Sequence, residues 1–273
     1  MSTLAHPAPP QPPELPEGAD PRPRWPWWYA FAGFAAGFIG SNILATPVII
    51  LASDDGDLTP AGALLSTLIL NAVLVGTAVG FAWMTSRPRA WHFGLTGTRF
   101  WPAVGWSALG YVAYITFVVA YGLIVGTPEE QTTPEDVGAD EGTFGLINAG
   151  LLFVVIAPIG EELFFRGFFY RALRGSMNVW SAALVGGGVF GAIHIFTGWE
   201  AVPVLAALGV VLCLVYERTG SLYPCIALHV INNTLAYAVT TDASPALAAA
   251  FGAPMILACV MVPRLQRRVQ WRP

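Results

Sequence analysis

Between Trp27 and Val262 the chain is a series of apolar runs separated by short polar breaks, and this pattern limits the fold more than any other feature. Eight runs stand out, over 27–52, 61–84, 102–125, 147–174, 179–196, 202–216, 222–240 and 245–262. A helix needs about 17–25 such residues to cross ~30 Å of hydrocarbon. The sixth run is the shortest, so it is the weakest span. The fourth is long enough to extend past the bilayer on its charged side. A soluble domain made of these runs would expose large apolar patches. The expected fold is therefore all-α, a polytopic transmembrane bundle of about eight spans. Three N-terminal spans occupy 27–125 and a second group occupies 147–262.

Composition agrees and excludes other classes. Of 273 residues, 55% are hydrophobic and 11% charged, against roughly 25% charged in an average soluble domain. The net charge of −4 leaves no basic surface for nucleic acid. The three cysteines, Cys213, Cys225 and Cys259, sit inside apolar runs and read as small packing groups, with no disulfide framework. Residues 1–26 hold nine prolines and read as a disordered cytosolic tail, lacking the apolar core of a signal peptide. Residues 263–273 read as an Arg-rich cytosolic tail.

The charges set an orientation. Every basic residue is arginine. With the N-terminus inside, the inner segments carry Arg22 and Arg24, then Arg87, Arg89 and Arg99, then Arg171 and Arg174, then Arg218, then the arginines from 264 onward. The outer segments carry Asp54, Asp55 and Asp57, the acidic stretch Glu129 to Glu141, Glu200 and Asp242. This positive-inside pattern predicts an even number of spans with both termini cytosolic, in a multi-pass protein of the plasma (inner) membrane. Tryptophans 25, 27, 28, 101, 180, 199 and 271 fall near span ends, as an aromatic belt does. Small residues such as Gly33 with Gly37, and Gly186 to Gly188, mark close helix contacts.

Ionisable residues inside a membrane are expensive and usually mark function. Here they fall into three short stretches: Glu161-Glu162-Leu-Phe-Phe-Arg166, Phe190-Gly-Ala-Ile-His194 and His229-Val-Ile-Asn232-Asn233. Glu162 and Arg166 are four apart, so they share a helix face and can pair. Glu161 points about 100° away, toward another partner. His229 and Asn233 share one face by the same spacing. Counted from the turns at 175–178 and near Ser221, Glu161, His194, His229 and Asn233 lie about 20, 24, 12 and 18 Å deep, compatible with one site. A carboxylate among apolar residues can act as general base on water. Histidine can pass on the proton, and His and Asn can bind an oxyanion. Alternatively Glu161, His194 and His229 make a zinc ligand set with water in the fourth position. Both uses stay open at this point.

Each residue also has a plainer reading. Glu162 with Arg166 is a structural ion pair. His194 is a hydrogen-bonded packing group, and Asn232 and Asn233 are interhelical glue.

The three motifs in this order resemble those of the CPBP family, the CAAX-protease and bacteriocin-processing intramembrane proteases also called the ABI family. The likeness covers 147 to about 240, and the run Tyr216-Glu-Arg-Thr-Gly-Ser-Leu-Tyr-Pro is also similar. The resemblance implies an intramembrane endopeptidase, of metalloprotease or metal-free glutamate type, reached by its protein or peptide substrate from the cytosolic side. It implies that Glu161 activates water assisted by His194, that His229 and Asn233 bind the oxyanion, and that Glu162 and Arg166 position the site. Other intramembrane protease signatures are absent: there is no His-Glu-x-x-His, no Gly-x-Ser-x-Gly and no intramembrane aspartate. Two other classes compete. One is a proton-coupled transporter using the same Glu, His and Arg. The other is a non-catalytic scaffold or immunity protein, which the intact set of four residues argues against.

The orientation is directly testable. Single cysteines placed in 86–99 should react with an impermeant thiol reagent only after the cells are opened, and cysteines placed in 127–141 should react in intact cells. The reverse pattern would overturn the topology.

Overall fold

A computed structural model of the chain describes residues 25–54, 57–126, 137–140, 142–195 and 198–270. Most of the Pro-rich tail (1–24), most of the acidic stretch (127–136 and 141) and the last three residues of the Arg-rich tail (271–273) lie outside the described residues.

Eight helices make up the bundle: α1 (Trp28–Leu51), α2 (Pro60–Thr85), α3 (Phe100–Val125), α4 (Gly142–Arg174), α5 (Val179–Ala192), α6 (Ala201–Thr219), α7 (Leu222–Thr240) and α8 (Pro245–Gln270). A two-residue antiparallel pairing, β1 (Ser53–Asp54) with β2 (Asp57–Leu58), turns the chain between α1 and α2. All the helices except α5 are long and apolar enough to cross a membrane. The polytopic all-α expectation holds.

The weak span is not where the run lengths put it. The sixth run becomes α6, with 19 residues, whereas α5 has 14, about 21 Å. The end of α5 has a local cause. In a continuing helix the His194 amide would bond to Phe190 O. It bonds instead to Gly191 O (3.0 Å), and the His194 ring Nδ1 donates to Phe190 O at 2.7 Å. The side chain has taken the backbone's place. Two expected boundaries also move. α8 runs to Gln270, through most of the expected tail. Trp25, assigned to the other tail, is buried with its ring 5.2 Å from Phe93 and 5.3 Å from Phe168.

The lipid-facing surface carries the large side chains. Ile43, Ile50, Leu51, Trp101, Leu123 and Ile124 are exposed, as expected where the solvent is hydrocarbon. Small residues fill the contacts, since lipid offers no hydrophobic driving force between helices. α1 turns Gly33, Gly37, Ser41 and Ala45 inward. A Cβ on Gly33 would meet the Phe168 ring, and one on Gly37 would meet Leu74. Between α5 and α6 the backbones themselves touch. A Cβ on Gly187 would come within 2.6 Å of the Val210 amide nitrogen and 2.7 Å of Ala206 O.

α4 is the hub, packing against α1, α2, α5, α6, α7 and α8. Its Phe164, Phe165, Phe168, Phe169 and Tyr170 are fully buried. The arginine-bearing end is fastened by polar contacts. Arg174 pairs bidentately with Glu217, which also accepts from Tyr170 (3.0 Å). The 86–99 loop docks on the α6–α7 turn, with Thr98 donating to Thr219 O and Ser221 donating to Thr96 O. Arg171 donates to Trp91 O and to the Tyr216 hydroxyl. Trp25 and Arg264 lie at this same end, Arg264 over the Phe100 ring. The described chain thus begins there, and the last arginine whose side chain is described lies there too.

Gly187→Ala should destabilise the purified protein by roughly 1–3 kcal/mol through overpacking, read as a lower Tm in detergent. Gly188→Ala, next in sequence but with nothing within 4 Å of its Cβ position, should leave Tm unchanged or raise it. Equal effects would contradict the α5–α6 contact.

Candidate active site

α4 is not a uniform helix where the motif lies. It switches to i→i+5 bonding over Leu151–Ile156 and again over Phe165–Tyr170, and the α-helical turn Ala157–Phe164 between them carries both glutamates. Such π segments are rare and concentrate at functional sites. The first has a visible cause. Ala157 donates to Leu152 O, five residues back, so the next donor in that register would be residue 158 to Phe153 O. Residue 158 is proline, which has no N–H. In hydrocarbon an orphaned carbonyl must find another donor. Asn233 of α7 supplies it, its Nδ2 donating to Phe153 O at 2.8 Å.

The next turn of α4 brings the charges together. Glu162 and Arg166 form the ion pair that their spacing predicts, Nη1 to Oε1 at 2.7 Å, with both side chains fully buried. Arg166 also donates to Gly209 O on α6 (3.2 Å), and its guanidinium lies 4.5 Å from the centre of the Phe190 ring on α5. His229 of α7 donates from Nδ1 to the same Glu162 oxygen at 2.8 Å. Its Nε2 faces Glu161 Oε2 at 3.9 Å, too far for a direct hydrogen bond. Glu161 is the more open glutamate, with its side chain 18% exposed against 0% for Glu162.

The Phe190 ring separates the two histidines, 5.1 Å from the His194 ring and 5.8 Å from that of His229. Because Phe190 O accepts from His194 Nδ1, a neutral His194 ring carries its lone pair on Nε2. Three spans, α4, α5 and α7, thus deliver the four predicted residues. His229 is bonded to Glu162 and faces Glu161, and Asn233 is tied to the backbone of α4. Among the described residues no three His, Cys, Asp or Glu side chains are grouped so as to hold one metal ion.

One polar residue near the site escaped the motif search. Asn71 of α2 is buried and donates to Thr67 O, while its Oδ1 rests against Gly160 and makes no hydrogen bond among the described residues. A Cβ on Gly160 would collide with that oxygen, so glycine is what lets α2 approach next to Glu161. The signal was available, since an amide in mid-span is as notable as a charge.

Residues 143–235 match the family model described as type II CAAX prenyl endopeptidase Rce1-like. The matched segment contains all three motifs. The chain is also similar to the uncharacterized protein YyaK of Bacillus subtilis (strain 168), at 31% identity over 136 residues, covering 46% of this chain and 44% of that protein. The chain thus spans less than half the length of this relative. No solved structure matches it.

The Pro158–Phe153–Asn233 relation predicts a coupled pair. Asn233→Ala should lower stability by about 0.6–1.7 kcal/mol, the usual worth of an interhelical hydrogen bond in lipid. Pro158→Ala restores a donor within α4, so in that background Asn233→Ala should lose most of its effect. A double-mutant cycle on unfolding in detergent measures the coupling, and additive effects would contradict it.

Proposed function

We propose that this chain is an intramembrane endopeptidase of the CAAX-protease type, with Glu161 as general base. The observation that carries the reading is the chain Glu161–His229–Glu162–Arg166, buried among apolar spans inside the segment that matches the peptidase model.

The proposed roles are these. Glu161 takes a proton from water as the water oxygen bonds to the scissile carbonyl carbon and the C=O π pair moves onto the carbonyl oxygen, from which it returns when the C–N bond breaks. His194, held by its Nδ1 bond to Phe190 O, assists Glu161 by orienting the nucleophile. His229 receives the proton from Glu161 at Nε2. The resulting imidazolium is stabilised by Glu162, as an orienting carboxylate stabilises a catalytic histidine elsewhere. It then returns the proton to the amine nitrogen as the C–N bond breaks. Arg166 holds Glu162 in place. With its amide already donating to Phe153 O, Asn233 is a positioning residue for the Glu161 turn, which departs from the oxyanion role implied by the resemblance.

The same reading puts the arginine-bearing end in the cytosol, both termini with it, and the protein in the plasma membrane, with substrate entering from the cytosolic side. Peptides ending in a prenylated CAAX sequence are the first substrate class to test, because that is what the matching model describes.

The test compares wild type and Glu161→Gln in nanodiscs, on a quenched peptide library that includes farnesylated C-terminal peptides. Wild type should cleave, and the variant should lose about 10²–10⁴-fold in rate with unchanged Tm. Cleavage by both at equal rates would overturn the assignment of the base. Proton-coupled uptake into proteoliposomes, without cleavage by wild type, would favour the transporter.

A further inference from the structure

A cleft away from the glutamates opens between α3, α7 and α8, with a volume of about 510 Å³. That size suits a bound small molecule. Its walls are almost wholly apolar and include Ala108, Tyr111, Ala227 and Ile256. Its mouth carries Arg99 and Arg264. Arg99 is the residue before the first turn of α3, and Arg264 is brought to the same place by its 5.4 Å approach to the Phe100 ring. Both arginines are exposed, and no acidic side chain is among the described residues that line the cleft.

Depth and charge together point to one occupant. From Arg99 to Tyr111 the α3 wall rises about 18 Å, and from Arg264 back to Ile256 the α8 wall covers about 12 Å. One leaflet of hydrocarbon is about 15 Å thick. The cleft thus runs from headgroup level to mid-membrane on the arginine side alone. Two guanidiniums at the edge of a low-dielectric cleft repel each other until an anion comes between them. Basic pockets between spans on the arginine-rich side of a membrane suit anionic headgroups. We infer that the α3–α7–α8 cleft binds one anionic phospholipid, its phosphate held by Arg99 and Arg264 and an acyl chain seated between Ala108 and Ala227. The inference is independent of the protease reading.

The test is native mass spectrometry of the intact chain, titrated with phosphatidylglycerol or phosphatidylcholine of identical acyl chains. Wild type should retain one phosphatidylglycerol with a preference of roughly tenfold or more over phosphatidylcholine. The double variant R99Q/R264Q should lose that preference. Ala227→Phe, or Ala108→Phe from the opposite wall, should lose the retained lipid with both arginines still in place. Equal retention of the two lipids by wild type, or an unchanged preference in R99Q/R264Q, would overturn the site. Competition by glycerophosphate as strong as by intact lipid would overturn the acyl seat.

Discussion

A guanidinium inside a bundle of apolar helices needs partners, and those given to Arg166 hold four helices together. Glu162 on its own helix neutralises it, Gly209 O on α6 accepts from it, and the Phe190 ring on α5 covers its face. His229 on α7 completes the network by donating to the same Glu162 oxygen. Charge burial is costly, and breaking one member of such a pair leaves the other uncompensated. The network therefore fixes how α4, α5, α6 and α7 sit relative to one another. Glu161 depends on it indirectly. The group that faces Glu161 is oriented by a carboxylate that is itself locked.

The close contacts at this centre follow from missing side chains. Gly187 admits the backbone of α6, and Gly160 admits Asn71. In water such contacts would compete with hydrophobic burial. In lipid the tails are as apolar as leucine, so dispersion and polar contacts decide the packing. On α1 and at the α5–α6 contact small residues therefore face inward, while the aromatic side chains of α4 fill the centre.

Much of this was legible in the sequence because the code used was local. Run lengths gave the spans, and a spacing of four gave the Glu162–Arg166 pair. The arginine distribution matches the end where the loops dock. What escaped was structure that depends on a single hydrogen bond. Nothing in the pattern 179–196 says that the His194 ring will displace a backbone amide and stop the helix. Trp25 read as tail because its neighbours are prolines, yet its ring finds Phe93 and Phe168, far away in sequence. The π segment was half legible. Pro158 announces a lost donor, but which carbonyl is orphaned depends on register, and the Asn233 that satisfies it lies 80 residues away. Spacing gives the depth of a side chain and not which neighbour it turns toward.

The length of α5 has a consequence for the membrane itself. About 21 Å of helix stands where the hydrocarbon is about 30 Å thick. A bilayer meeting a short span thins locally or admits water at its end. The end in question carries His194, whose ring donates to Phe190 O in place of its own amide. The shortfall thus makes the bilayer part of the surroundings of His194. A thicker or stiffer membrane raises the energy of the deformation around His194, so the local hydration of a histidine becomes a function of lipid chain length.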